Sequence, residues 1–446
     1  MSYTRWAPAT WLTWVAVVCS AAMAGPPADP LQAFWKADTV AAAERAGTAV
    51  AEGGVGFADA RRALAAGRIY SARVPTGRVD RVRRGLLRVP HPYTLLVPGS
   101  YDPEVRYPVH VFLHGGVNRP AWKPGGAWWN DYGRMEDDRR ISIFPAAWNE
   151  STWWQQSQTE NLAAVLDAVK REFNIDENRV FLIGISDGGT GTWFQALRSP
   201  TPWAGFLSLI GHPAVLANPR SEADGDLFAS NLANRPMLAI NGEVDRLYPA
   251  ASLAPWIDLF RSAGAEIEFV RLPGVGHEMG WLPRRKADLA SWIGEHRRDP
   301  HPVRLSWETE RTDLYNRVDW LVITELDSTA AVDPHADNLL TDPDRRSRSV
   351  AFPRRGPSGR VQVERDGNEF AVRTRGVRRF KLLLSPDRID FDRPVRVVTN
   401  GTVSFDGRVE RDVATLLHWA ARDNDRERLY GAELEIRVTP QPAQSE

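Results

Sequence analysis

A serine, a histidine and a carboxylate stand in this chain in settings that suit acyl chemistry. Ser186 lies in Gly184-Ile185-Ser186-Asp187-Gly188-Gly189, directly after the apolar run Val180-Phe181-Leu182-Ile183 and before residues 190–197, which read as a helix. A serine hydroxyl is a weak nucleophile unless a base is in reach and the backbone presents it. A sharp strand-to-helix turn does the presenting. Side chains at Gly184 and Gly188 would collide in the bend, and the serine takes a strained φ/ψ. A Gly-rich turn with a serine is common by itself; its place between a buried strand and a helix makes Ser186 the candidate nucleophile.

The base is expected after the nucleophile in chain order. His277, in Gly274-Val275-Gly276-His277-Glu278, follows a strand at 266–270 and precedes the last helix, where a loop can carry an imidazole over the serine. The acid that holds its tautomer is expected after the strand at 237–240. Asp245 and Glu243 both qualify, and Asp245 is better placed because it lies further into the loop, where it can turn back toward His277. Upstream, His114-Gly115-Gly116 follows the strand at 109–113. Backbone N–H groups of Gly115 and Gly116 are candidate oxyanion donors together with the N–H of Asp187. His114 reads as a residue that organises this loop.

The order Ser186, Asp245, His277, preceded by His114-Gly115-Gly116, resembles the α/β-hydrolase superfamily. Residues 93–296 resemble extracellular esterases of the poly(3-hydroxybutyrate) depolymerase and feruloyl esterase kind, and are similar to prolyl-oligopeptidase catalytic domains. Asn174-Ile175-Asp176-Glu177-Asn178-Arg179-Val180 ahead of the elbow strand is typical of those groups. The resemblance implies an α/β fold, with a mostly parallel sheet covered by helices on both faces, and acyl transfer without a cofactor. It does not fix the substrate, because this fold hosts many acyl-transfer reactions. Asp187 departs from many relatives, which carry a small or neutral residue there. A carboxylate at that helix N-terminus is favoured by the dipole and would repel anionic substrates.

The elements around these residues agree with that reading. Between about 85 and 299, short apolar strands at 93–97, 109–113, 141–144, 180–183, 237–240 and 266–270 alternate with amphipathic helices, such as 160–173 and 286–296. Residues 25–84 are Ala-rich, with helical stretches at 38–50 and 57–67, and read as a helical preface packing on the main domain. From 300 to 446 alternating strands dominate, with Asp366-Gly367 and Asn400-Gly401 as hairpin turns. This is expected to be a separate β-rich, sandwich-like domain. Residues 327–359 are polar and read as a long exposed loop, and Asp423-Asn424-Asp425-Arg426-Glu427 as a solvated turn.

Residues 1–24 carry the grammar of a secretory signal peptide: Arg5, an apolar run from Trp6 to Val18, and Ala22-Met23-Ala24 before Gly25. An uncleaved anchor is the alternative. The single cysteine, Cys19, lies in this segment, so cleavage leaves no thiol for disulfides, catalysis or metal. Lys+Arg and Asp+Glu both number 56, a balance that steers the protein toward neither nucleic acid nor an anionic membrane. No later segment has the length and apolarity of a membrane span, and no metal-ligand spacing is present. Tryptophan is abundant, 18 in all, and Trp153 and Trp154 stand with Trp122, Trp128, Trp129 and Trp148 after strands that end at the site. They suit an aromatic wall for an acyl or sugar-aryl group, and suit core packing equally. Three functions fit. The first is an exported hydrolase of small or polymeric carboxylic esters. The second is a peptidase with the same triad. The third is a protein that binds a glycan or partner on an idle hydrolase scaffold. A complete Ser/Asp/His set argues against the third. The sequence does not set the oligomeric state.

Overall fold

The computed structural model describes residues 31–85, 89–128, 139–329, 335, 337–342 and 347–439. The segment read as a signal peptide, Cys19 and Trp129 lie outside the described residues. Eight strands form the main sheet: β1 (Gly77–Arg84), β2 (Pro90–Val97), β3 (Tyr107–Leu113), β4 (Ile141–Pro145), β5 (Ile175–Ile185), β6 (Gly205–Leu209), β7 (Met237–Gly242) and β8 (Ile267–Leu272). Their order is β1-β2-β4-β3-β5-β6-β7-β8, antiparallel at β1, β2 and β4 and parallel from β4 onward. With helices on both faces, this is an α/β-hydrolase sheet.

The alternation of β5 shows why both faces are covered. Val180 and Leu182 join one apolar cluster, Phe181 and Ile183 another, because successive side chains point to opposite sides. The first cluster holds Leu162, Val165 and Val169 of the helix Gln156–Glu172 and Leu253, Trp256 and Phe260 of the helix Ala250–Ser262. The second holds Leu282 and Trp292 of the helix Leu282–Glu295.

Beyond residue 300 a five-stranded sheet and a four-stranded sheet are present. The five-stranded sheet contains the strands Arg304–Thr309 and Gly359–Asp366; the four-stranded one contains Leu321–Leu326 and Val377–Leu384. Trp307, Val361, Ile323 and Phe380 from the two sheets share one buried cluster, as facing layers of a sandwich do.

Four expectations are corrected. Residues 77–84, assigned to the helical preface, form β1 of the main sheet; with only Val79 and Val82 among arginines, this charged edge strand carries little alternation. The preface helices Val40–Glu52 and Phe57–Ala66 pack chiefly against a helix the sequence reading did not assign, Val413–Asp423: Ala43, Val50 and Leu64 bury with Leu416, Leu417 and Ala420. Residues 327–359 are not simply an exposed loop. Leu339–Asp342 pairs with Ser347–Val350, and Ala351 and Phe352 enter the hydrolase core. Phe352 is held by Asn338, which accepts its N–H and donates to its carbonyl.

The charged run at 423–427 is no solvated turn but a buried junction. Asp425 pairs with Arg298 (2.7 Å) and Arg428 (3.2 Å), Arg426 with Glu177 (2.6 Å), and Asp423 with Arg317 (2.7 Å). Arg298 and Asp425 have no exposed side-chain surface. Burial pushes the Asp425 carboxyl up, but Arg298, Arg428 and Lys170 outweigh it and hold it well below the ordinary carboxylate range.

Candidate active site

β5 ends at Ile185 and the next helix begins at Asp187, so Ser186 alone makes the turn, at φ 55° and ψ −117°. Such a backbone is strained for any residue but glycine and persists only where its surroundings hold it. Here the Ser186 N–H donates to Leu209 O at 2.9 Å, and its carbonyl accepts Thr190 N–H at 3.0 Å. The glycines are steric requirements. A Cβ on Gly184 would overlap the Gly188 carbonyl, and one on Gly188 would overlap the Leu113 carbonyl at the end of β3.

Ser186 Oγ lies 2.8 Å from His277 Nε2, and His277 Nδ1 lies 2.8 Å from Asp245 Oδ2. The other Asp245 oxygen accepts the N–H groups of Leu247 (2.8 Å) and Tyr248 (2.9 Å), which fixes the carboxylate. An ionised carboxylate only accepts, so Nδ1 carries the proton and Nε2 is left to accept from the serine hydroxyl. Asp245 has no exposed side-chain surface, whereas His277 keeps 22%. The rival acid, Glu243, is exposed. Val244 N–H bonds Val275 O at 3.1 Å, and a Cβ on Gly242 would overlap that same carbonyl, so the acid and base loops are in direct backbone contact. The Tyr248 ring meets His277 edge-on, centroids 5.5 Å apart. Burial, with the Asp187 and Asp245 charges nearby, pushes the Tyr248 hydroxyl up to about 12.

The loop after β3 is pinned from both sides. His114 is buried; its Nε2 accepts Ala147 N–H at 3.0 Å and its Nδ1 lies 2.8 Å from Gly115 O, so Nδ1 is the donor. Burial holds its pKa down at about 4, which keeps the ring neutral. The Arg119 guanidinium donates to Gly116 O (2.6 Å) and Gly115 O (3.1 Å). Asp187 Oδ2 accepts Val117 N–H at 2.9 Å. In a trans peptide the N–H points away from its carbonyl. With Gly115 O turned to Arg119 and His114, the Gly116 N–H faces the other way. A Cβ on Gly115 would come 2.9 Å from Ser186 Cβ, so only glycine lets this loop approach the serine. The Asp187 N–H stands in the first helical turn, where no intrahelical acceptor exists.

The two tryptophans expected as substrate walls part company. Trp153 is fully buried and donates its indole N–H to His114 O at 2.8 Å, so it supports the loop from beneath and is no part of the cleft. Trp154 lines an open cleft of about 630 Å³ together with Asp187, His212, Val215, Tyr248 and Trp256. Trp122 and Trp128 pack on each other at 5.9 Å, and Trp148 packs on His91 at 5.0 Å.

Sequence reasoning missed Arg119, His212 and Tyr248. Arg119 and His212 stand within three residues of glycines, Gly116-Val117-Asn118-Arg119 and Gly211-His212, but only their partners reveal them. His212 Nδ1 accepts Ala214 N–H at 3.0 Å and its Nε2 lies 3.2 Å from Ser252 Oγ; burial lowers its pKa to about 4. Among the described residues no cluster of three or more His, Cys, Asp and Glu side chains is placed to hold a metal ion, and no helix is long and apolar enough to cross a membrane.

No protein-family profile matches the chain. A bifunctional acetylxylan esterase/xylanase of Neocallimastix patriciarum is 23% identical over 134 residues, which is 29% of this chain and 20% of that protein. The chain therefore matches about a fifth of that relative's length. Among solved structures, a thermostable esterase is 20% identical with a TM-score of 0.38, covering 50% of this chain and 63% of that one. The acylaminoacyl peptidase of Pyrococcus horikoshii is 15% identical with a TM-score of 0.39, covering 49% of this chain and 41% of that one.

Proposed function

We propose that this α/β-hydrolase chain is an exported serine hydrolase that cleaves carboxylic esters through an acyl-enzyme. The observation that carries the reading is the hydrogen-bonded chain Ser186–His277–Asp245 on a strained turn, with His277 in reach of solvent. In this reading Ser186 Oγ attacks the acyl carbon while His277 Nε2 takes its proton. The imidazolium, steadied by Asp245, returns that proton to the departing alcohol. Water then enters by the same route, losing a proton to His277 and attacking the acyl carbon; His277 returns that proton to Ser186 Oγ as the Oγ–acyl bond breaks and the carboxylic acid leaves. The N–H groups of Gly116 and Asp187, with Gly115 beside them, carry the oxyanion charge. Val117 N–H is occupied by the Asp187 carboxylate, which supports assigning the role to its neighbours.

The name of the curated relative, an acetylxylan esterase, supports esters over amides. Trp154 alone of the two tryptophans is assigned to substrate. Substrates are carboxylic esters, small or polymeric, and no cofactor takes part. Export follows from residues 1–24 and predicts Gly25 as the mature N-terminus, which N-terminal sequencing of secreted protein reads directly.

The decisive experiment is a panel of p-nitrophenyl acyl esters and aryl-peptide anilides, run on the wild type beside Ser186→Ala. The reading expects ester turnover that vanishes in the variant, and a single fluorophosphonate adduct on Ser186. Faster cleavage of anilides than esters would make the chain a peptidase with the same triad. Absence of both activities and of labelling would leave it a binding protein.

A further inference from the structure

The sequence predicts a separate β-rich domain for the C-terminal region. Its contacts run to the open cleft that Asp187 and Tyr248 line beside the Ser186 turn. Phe352, buried to 1% exposure, packs on Trp256 with centroids 5.1 Å apart, and Trp256 lines the cleft. From Trp256 a chain of ring contacts continues to His212 (6.1 Å), Tyr248 (5.9 Å from His212) and His277 (5.5 Å from Tyr248). A second part of the lining, which includes Trp154 and Ser221, is gripped as well. Trp154 Nε1 donates to Ser221 O at 2.7 Å, and Asp224 N–H donates to Trp154 O at 3.0 Å. Tyr315 Oη donates to Asp224 Oδ2 at 2.9 Å, and Arg355 N–H donates to Asp226 Oδ2 at 2.9 Å. The Tyr315 ring lies under the Arg198 guanidinium at 4.0 Å, while Arg198 pairs with Glu310 at 2.7 Å.

We infer that the C-terminal region shapes the substrate cleft: Phe352 fixes the Trp256 wall and Tyr315 fixes the Trp154 wall, so this region sets which acyl or alcohol groups the esterase accepts. The physical ground is packing. Trp256 and Trp154 are 6% and 5% exposed, so most of each ring is set by what lies behind it, and a close-packed interior passes a displacement on to the exposed edge. Phe352 and Tyr315 touch no reacting atom, and they are positioning residues. The inference rests on the esterase reading, and it deepens that reading by assigning specificity to residues outside the hydrolase sheet.

The test uses the full chain and two p-nitrophenyl esters, acetate and benzoate. Acetate needs little of the cleft; the benzoyl ring must lie against its walls. The geometry predicts that Phe352→Ala raises KM for benzoate about tenfold or more while kcat for acetate stays within about threefold. Phe352→Leu, which refills most of the space, should restore most of the benzoate KM. Tyr315→Phe, which keeps the ring and removes the hydroxyl with its bonds to Asp224 and Thr159, should shift the benzoate-to-acetate ratio in kcat/KM by about threefold or more. Equal losses on both esters, matching the loss of folded protein by circular dichroism, would overturn the inference and leave the esterase reading intact. An unchanged ratio in all three variants would overturn it too. A wild type that cleaves neither ester and resists fluorophosphonate overturns the esterase reading, and this inference with it.

Discussion

Two loops of this molecule each bury an aspartate beside positive or ionisable partners, and their outcomes are opposite. Asp245 faces one imidazole and two backbone N–H groups, and the imidazole keeps 22% exposure on the cleft side. Asp425 faces Arg298, Arg428 and Lys170, with no exposed side-chain surface on itself or Arg298. The first arrangement leaves one atom, Nε2, free to move a proton. The second leaves none, because the carboxylate is shared among three buried cations and has no route to a substrate. On the proposed function, a buried carboxylate serves catalysis or structure according to whether its partner can still change protonation and still reach a substrate.

The sharpest way to test this contrast is at the nucleophile. Ser186→Ala should lower kcat on an activated ester by about 10⁴-fold or more while the unfolding midpoint stays near wild type. Asp245→Asn should lower kcat by about 10⁴-fold near neutral pH, because the amide stabilises the wrong imidazole tautomer. Circular dichroism should show the fold kept. A Glu243→Gln variant that proved the more damaging of the two would reassign the acid.

The junction should respond in the other currency. Asp425→Ala leaves Arg298, Arg428 and Lys170 buried without their shared counter-charge, and loss of one partner of a buried pair costs about 3–5 kcal/mol. The urea midpoint should drop accordingly, with kcat per folded molecule little changed. A chain cut after Arg298 should be insoluble, since it loses both Asp425 and Phe352. Normal solubility of that fragment would remove the contrast.

A smaller effect separates the regions by pH. Burial lowers His114 and His212 from the ordinary 6.5 to about 4, and His91 and His301 likewise. The unfolded chain then binds more protons than the folded one between those values, so stability is full above about pH 6.5 and is lost as pH falls toward 4. Asp425, held well below its usual range, contributes above the ordinary carboxylate pKa and loses its contribution only at more acid pH. Thermal midpoints should therefore fall between pH 6.5 and 4.5; a flat profile there would contradict the histidine assignments. The smallest expected change is Glu243→Gln, an exposed substitution that should alter kcat by less than about twofold.

How much of this was legible in the sequence depended on how local the signal was. Gly184 to Gly189 announces a strained turn because its requirement is steric and lies within one stretch of chain. A mostly parallel sheet was expected from the alternating strands and helices, and Val180 to Ile183 was readable as a buried central strand. Strand β1 was not, because an edge strand rich in arginine carries almost no apolar period. The helix Val413–Asp423 also went unassigned, although Asp412 caps it by accepting the N–H groups of Ala414 and Thr415.

The residues 423–427 and 351–352 mark the limit. A charge run reads as solvated and a polar Pro/Arg-rich stretch as a loop, because composition reports the average fate of such segments. Arg298 and Asp425 stand 127 positions apart, and Trp256 and Phe352 are joined only by ring contact. The sequence by itself determined the strained turn at Gly184 to Gly189, the loop that carries His277 and the mostly parallel sheet, since each is encoded by neighbours along the chain. Only the tertiary structure decided that the charged run is buried and that the C-terminal region reaches the cleft. Both outcomes depend on partners brought together by folding, and no local pattern records which distant charge or ring will arrive.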